Sequence, residues 1–409
     1  MIRLIIKNTL VLSVSQVFSR LMGFFYFIFL ARTLGVADFG IYSFVIAFIY
    51  NFIPVADFGI ERLVLRDISR EPEKTSYYFQ RLLPLRAILS LAAYLAAILL
   101  GIILGLSSQK IFYLSIFGLA LLPYNLAFLI ISFQNAKEKM HFLAIANIVI
   151  ILVTAFLGLT FVYLKMPLFW VFLPYPLANV IVAVYMFILA GKWKLSSNWI
   201  IDFAFWKKIL SQSWIFAAFT IMAVFYLRTT VLFIGIFKDS VSSGLYNSVF
   251  KFIEAGILIP QSLALALFPL SSRLFIEDKK KLLRVYLKGL GVLLLLALPF
   301  FLALVLFPDT IISLAYGERY LPAVKVFRIL GLSFVLFSVN TLSGNIIQNS
   351  EKVKNFLPFA LASLIFAVFL SWILVPKYSL VGAGWAVVGG EIFGFLVSNF
   401  FVYKFLKDK

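Results

Sequence analysis

The stretch VLSVSQVFSRLMGFFYFIFLARTLGVADFGIYSFV, residues 11–45, decides how the rest of the chain is read. Its first part is an apolar run of the roughly 20 residues that a helix needs to cross a bilayer, with Arg20 at its middle. An arginine at mid-depth costs roughly 2.5 to 3.5 kcal/mol on insertion scales, so it should face protein or water rather than acyl chains. Ser13, Gln16, Arg20 and Gly23 agree, because spacings of three and four put them on one helical face. The opening helix therefore offers a polar, cationic stripe. Leu30-Ala31-Arg32-Thr33-Leu34-Gly35 then leads into a short loop, and a second helix begins around Asp38-Phe39-Gly40-Ile41-Tyr42.

The same reading extends along all 409 residues, of which 63% are hydrophobic and 13% charged; soluble domains run at about 45–50% and about 25%. The expectation is an all-α integral membrane protein. Twelve spans are read, at 11–31, 41–60, 82–106, 111–133, 142–164, 167–190, 209–237, 245–270, 287–307, 321–347, 355–375 and 381–403. Continuous apolar runs exclude a β-barrel, whose strands alternate over about 10 residues. Met1–Lys7 is a short basic start without a small-residue cleavage site ahead of the first span, so that span is expected to remain as the first helix. With no cysteine, disulfides, thiolate metal sites and cysteine nucleophiles are out of consideration.

A net charge of +19 would suggest nucleic acid in a soluble protein. Here the cations alternate instead. Tails and even-numbered loops exceed odd-numbered loops in Lys and Arg by roughly four to one, which by the positive-inside rule places both termini in the cytoplasm and the chain in the cytoplasmic (inner) membrane.

Two halves are visible. Gly40 in Asp38-Phe39-Gly40-Ile41-Tyr42 has a counterpart in Gly244 of Ser243-Gly244-Leu245-Tyr246, and Gln134-Asn135-Ala136-Lys137 with Phe142-Leu143 matches Gln348-Asn349-Ser350-Glu351-Lys352 with Phe356-Leu357. Six helices per half make the repeats parallel, a transporter plan with its substrate site near mid-membrane at the repeat interface. The expected organisation is an N-terminal six-helix lobe at 1–190, an interfacial linker at 191–208 and a C-terminal six-helix lobe at 209–409 around a central cavity. In the linker, Trp193, Trp199 and Trp206 among lysines read as a segment at the lipid headgroups.

Charges inside the spans carry the functional expectation. Arg86, near the start of the third span, reads as a residue that snorkels to lipid phosphates. Arg20 and Arg228 fall near equivalent repeat positions, and Asn247, Lys251, Glu254 and Gln261 recur along one face of the eighth span. Lys251 and Glu254 either line the cavity or form an internal i,i+3 ion pair. Glu391 either pairs with a helix cation or takes part in proton or sodium coupling. Asp57, Glu61, Arg62, Arg66 and Asp67 read as a surface ion-pair network at the mouth of the second span. Arg20, Arg228 and Lys251 against Glu254 leave the expected cavity cationic, which suits a phosphate or pyrophosphate. No phosphate-binding glycine loop is present, His141 stands alone in a loop, and no paired carboxylates sit beside a large extramembrane loop. Neither catalytic residues nor a cofactor or metal site are expected.

Ser19-Arg20-Leu21-Met22-Gly23-Phe24, Leu30-Ala31-Arg32-Thr33-Leu34-Gly35, Phe39-Gly40-Ile41-Tyr42 and Asp57-Phe58-Gly59-Ile60 resemble the N-terminal signature of the oligosaccharide and polysaccharide flippases of the multidrug/oligosaccharidyl-lipid/polysaccharide (MOP) exporter superfamily. Gly244-Leu245-Tyr246, Pro260, Pro269-Leu270-Ser271, Gly317, Pro376-Lys377-Tyr378 and Gly382-Ala383-Gly384 resemble its second-half landmarks. The resemblance implies two six-helix lobes, alternating access, and transfer of a polyprenyl-pyrophosphate-linked oligosaccharide to the outer leaflet for cell-surface polysaccharide synthesis. Lipid II flippases carry Arg-Asp after the Gly-Phe of the first helix, where this chain has Tyr26-Phe27, which argues against that cargo.

On this reading Arg20, Arg228 and Lys251 hold the pyrophosphate and Gln16, Asn247 and Gln261 contact sugar. Glu254 and Glu391 are candidates for coupling to H+ or Na+, and polysaccharide polymerases or other biosynthesis proteins are candidate partners. The rivals are an ion-coupled drug exporter of the same fold and a non-transport membrane component of polysaccharide synthesis.

Overall fold

A computed structural model describes residues 2–193, 198–348 and 356–407. Part of the second repeat landmark, Asn349–Lys352, lies outside the described residues, as does Lys194 of the linker. The described residues are helical throughout, and ten helical runs are long and apolar enough to cross a membrane. Two of the ten hold two crossings each. Leu10–Arg70 and Leu357–Lys404 contain 61 and 48 residues, about 90 and 70 Å of helix against a core of about 30 Å. Each run is broken where the two expected spans meet: Gly35 (φ 79°, ψ 166°) in the first and Ser379 (φ 51°, ψ −129°) in the second. The twelve expected crossings are thus all present, and the protein is a multi-pass integral membrane protein.

The chain forms two compact units. The first, Met1–Leu34 with Ile41–Val224, is built from α1 (Ile2–Tyr50), α2 (Ile53–Asp57), α3 (Ile60–Arg70), α4 (Thr75–Ile103), α5 (Ser108–Gly118), α6 (Leu121–Ala136), α7 (His141–Tyr163), α8 (Leu168–Phe172), α9 (Pro174–Lys192) and most of α10 (Phe203–Phe237). The second, Gly35–Gly40 with Phe225–Lys409, holds the end of α10 and α11 (Ser240–Gly256), α12 (Leu258–Glu277), α13 (Lys279–Leu306), α14 (Pro308–Tyr316), α15 (Val324–Gln348) and α16 (Leu357–Lys407). In each unit the fourth crossing is the hub. In the first, α6 packs on α2, α3, α4, α7 and α9; in the second, α15 packs on α11, α12, α13, α14 and α16.

Helix starts follow local chemistry. Asp239 accepts from Ser242 N at 2.7 Å to cap α11, and Asp278 accepts from Lys281 N at 2.8 Å to cap α13. The buried side of α3, Ile60, Leu63, Val64 and Ile68, fits helical spacing and enters a core shared with Leu82, Leu83, Ile130 and Met186. The second unit has its own core around Leu282, Tyr286, Leu293, Leu342 and Phe401.

Gly40 and Gly244, paired in the sequence as repeat landmarks, pack against each other within the second unit. A methyl on Gly40 would overlap the Ser240 carbonyl oxygen and stand 2.8 Å from Gly244 N; one on Gly244 would overlap the Val36 carbonyl oxygen. Two small residues let the two backbones approach to contact. The linker differs from expectation. Trp206 is buried and donates from Nε1 to Arg81 O at 2.8 Å, and Trp193 packs edge-on against Phe142, so of the three tryptophans only Trp199 is exposed. The first two act as anchors in the first unit's core.

Candidate functional site

In the second unit the end of α10 and the middle of α11 bring three expected charges together. Glu254 lies 3.4 Å from Arg228 Nη2 and 2.9 Å from Lys251 Nζ, one carboxylate oxygen to each. Their side chains remain 26%, 22% and 29% exposed. Two cations thus meet at one acid in a partly open place. The i,i+3 ion pair is therefore real, and it is also one half of a larger group. Asn247, one turn back, is buried, and its amide donates to Ser243 O at 2.8 Å. Gln261 is exposed on α12, beyond Ile257, where α11 passes into α12.

Glu391 on α16 is only 4% exposed. Of the two readings left open, pairing with a cation is not what the structure has: among the described residues its partners are neutral. Tyr226 OH donates to one carboxylate oxygen at 3.1 Å and Asn340 Nδ2 to the other at 2.7 Å, while Ser398 Oγ donates to Asn340 Oδ1 at 3.3 Å. Beside it lies a cavity of about 30 Å³ lined by Tyr226, Thr230, Ile253, Ser333, Phe337 and Glu391, room for about two waters with polar partners to hold them. Tyr226 and Asn340 went unnoticed in the sequence because single polar residues in apolar helices give no sign of which carboxylate they will meet.

In the first unit, Gln16 and Arg20 lie on the exposed side of α1, with Ser13. Arg86 is the correction. It does not reach lipid: its side chain is 0% exposed, inside α4. Its guanidinium donates to Asn125 O at 3.2 Å, Ala56 O at 3.5 Å, Asp57 and, at 2.8 Å, Glu61. Asp57 and Glu61 are accordingly tied inward to a buried cation rather than forming only a surface network. Asp57 also accepts from Gly59 N at 3.0 Å and Glu61 N at 3.1 Å, where Phe58 and Gly59 take left-handed conformations between α2 and α3. A guanidinium at the fifth residue of the 82–106 span, preceded by Asp57 and Glu61 at the end of the previous crossing, is the sequence signal for this pairing.

A family model described as polysaccharide biosynthesis protein matches residues 5–275, and a second, MatE, matches 215–373. The probable low-salt glycan biosynthesis flippase Agl15 of Haloferax volcanii is 25% identical over 160 residues, 39% of this chain and 34% of that protein. The match thus spans about a third of the length of the curated relatives. Among solved structures, the lipid II flippase MurJ in an inward closed conformation superposes with a TM-score of 0.75 at 16% identity, covering 96% of this chain and 87% of that one. An inward-facing multidrug resistance MATE transporter of the MOP superfamily gives 0.72 at 15%, covering 98% and 99%. These likenesses show a shared fold.

Proposed function

This chain belongs to the polysaccharide biosynthesis protein family, and from that premise we propose that it is a flippase that moves a polyprenyl-pyrophosphate-linked oligosaccharide to the outer leaflet by alternating access. The observation that carries the reading is the Arg228–Glu254–Lys251 cluster, a partly exposed group in which a guanidinium and an ammonium meet at one carboxylate. Guanidinium and ammonium groups suit a diphosphate, and arginine's planar fork binds phosphate oxygens two at a time. Arg20, Arg228 and Lys251 are the proposed pyrophosphate ligands, with Gln16, Asn247 and Gln261 offered to sugar. Glu254 and Glu391 are the coupling candidates for H+ or Na+, and the transporter makes and breaks no covalent bond. The likeness to Agl15 supports a lipid-linked glycan as cargo. The cation bias supports placement in the cytoplasmic membrane with both termini inside, where biosynthesis proteins such as polymerases are the natural partners.

The test is leaflet-resolved translocation of a prenyl-pyrophosphate oligosaccharide in proteoliposomes. Arg228→Ala and Arg20→Ala are each expected to slow it at least tenfold; unimpaired rates would remove the site assignment. The MatE match over 215–373 favours a second reading, export of small drugs. In that case ligand binding would depend on Glu254 and survive loss of Arg20.

A further inference from the structure

We propose that Glu61 is a proton-binding site of the first unit, and that taking up the proton unfastens α3 from α4. The inference goes beyond the transport reading and concerns residues that reading does not use. Two carboxylates, Asp57 and Glu61, face the single, fully buried guanidinium of Arg86, Asp57 with 15% and Glu61 with 35% of its side chain exposed, so Glu61 is the second acid of the cluster and stands at its open edge. The two acids are not equivalent. Asp57 is held by Gly59 N, Glu61 N and Arg86 together, which fixes it as the ionised cap of α3. Among the described residues Glu61 is held by Arg86 alone.

The proton therefore goes to Glu61. Carboxylate and proton become a carboxylic acid, the ion pair with Arg86 is reduced to a weaker hydrogen bond from the guanidinium to a neutral oxygen, and Arg86 with Asp57 remains as a balanced pair. A metal cation fits less well, since hard cations want about six oxygen ligands and both oxygens of Asp57 already accept N–H donors. The charged and titratable groups around Glu61 are Asp57 from α2, Arg86 from α4, Arg62 on α3 itself and Tyr124 from α6, the last stacked on Phe128. The Pro72–Lys74 turn also packs on α3, with Lys74 paired to Glu71. On the α10 side Gly59 meets Ser213, Phe216 and Ala217, none of them charged.

The bend gives the proton something to act on. Phe58 and Gly59 break the helix between α2 and α3, and the Arg86–Glu61 bond joins α3 to α4 just past that break.

The test uses the full chain in lipid nanodiscs with isotope-labelled glutamate, titrated between about pH 8 and pH 5 by infrared carboxyl absorption and amide hydrogen exchange. The wild type should gain a protonated-glutamate band, with α3 amides exchanging about tenfold faster at the acid end. Glu61→Gln should lack the band and exchange fast at both ends, whereas Glu391→Gln should retain it. A band that survives Glu61→Gln, a midpoint that moves when sodium replaces a large organic cation, or α3 exchange indifferent to pH would each overturn the proposal. Should Glu61→Gln fail to fold, the wild-type exchange profile decides. No cargo is needed for these measurements, so they succeed or fail independently of the translocation assay.

Discussion

Arg86 shows what a side chain in isolation conceals. From sequence it is one cation near the end of a span, and snorkelling is the cheapest fate for such a residue. In the fold it is the node joining α2, α3, α4 and α6. Removing one partner of a buried charge group costs about 3–5 kcal/mol because the other charges are stranded. Arg86→Met should therefore lower the unfolding temperature sharply in detergent, and adding Asp57→Asn and Glu61→Gln should restore most of the loss. Gly40→Ala and Gly244→Ala each push a methyl into a backbone carbonyl; overpacking of this kind costs about 1–3 kcal/mol or more, again read as a fall in unfolding temperature. Asp202 carries a pH prediction. The Phe205 N–H and the Arg81 guanidinium hold its carboxyl below the usual range. A depressed carboxylate contributes stability that is present above its unfolded pKa and fades as pH falls through its folded value. Proteolysis of the segment before α10 should thus rise on acidification in the wild type and be high at every pH in Asp202→Asn.

At the scale of elements most of the architecture was legible. Length and apolarity set the number of crossings, because the bilayer fixes how many residues a span needs. The breaks were legible as places but not as geometry. Gly35 accommodates its positive φ at no steric cost, whereas Ser379 sits in a region that is essentially glycine's, and residues so placed cost about 1–3 kcal/mol. Ser379→Gly should raise the unfolding temperature, and Ser379→Val should lower it. Just before this break, Lys238 Nζ donates to Pro376 O at 2.9 Å. The polar face of the eighth span reads as one stripe, and at Ile257, where α11 meets α12, the backbone stays right-handed helical with i,i+4 bonds on both sides, so Lys251, Glu254 and Gln261 lie along one continuous run. Gly256 and Pro260, on either side of Ile257, mark that junction in the sequence.

For the molecule as a whole, weak signals agreed because they answer to the same constraint. Cation alternation and paired glycine landmarks are what a six-helix unit used twice would leave in a sequence, and in each compact unit the fourth crossing is a hub. Those signals specify an arrangement of helices. They leave open which polar atoms meet, because one hydrogen bond between distant helices alters no periodicity. Glu391's bonds to Tyr226 and Asn340 therefore leave no trace in the sequence pattern and exist only in the fold. If those neutral bonds hold the acid in place, Asn340→Leu should strip a donor from a buried carboxylate at a cost of about 1–3 kcal/mol. Thermal unfolding in detergent would measure it, and a silent substitution would mean the acid is held by something else.

The short segment Gly35–Gly40 is counted with the second unit although the residues on either side of it build the first. Dividing the gene ahead of Phe225 would consequently give a C-terminal product missing the piece that seats against Gly244, and an N-terminal product carrying that piece with nowhere to put it. Split versions of this protein should accumulate only when both fragments are co-expressed, as complementing partners rather than as modules.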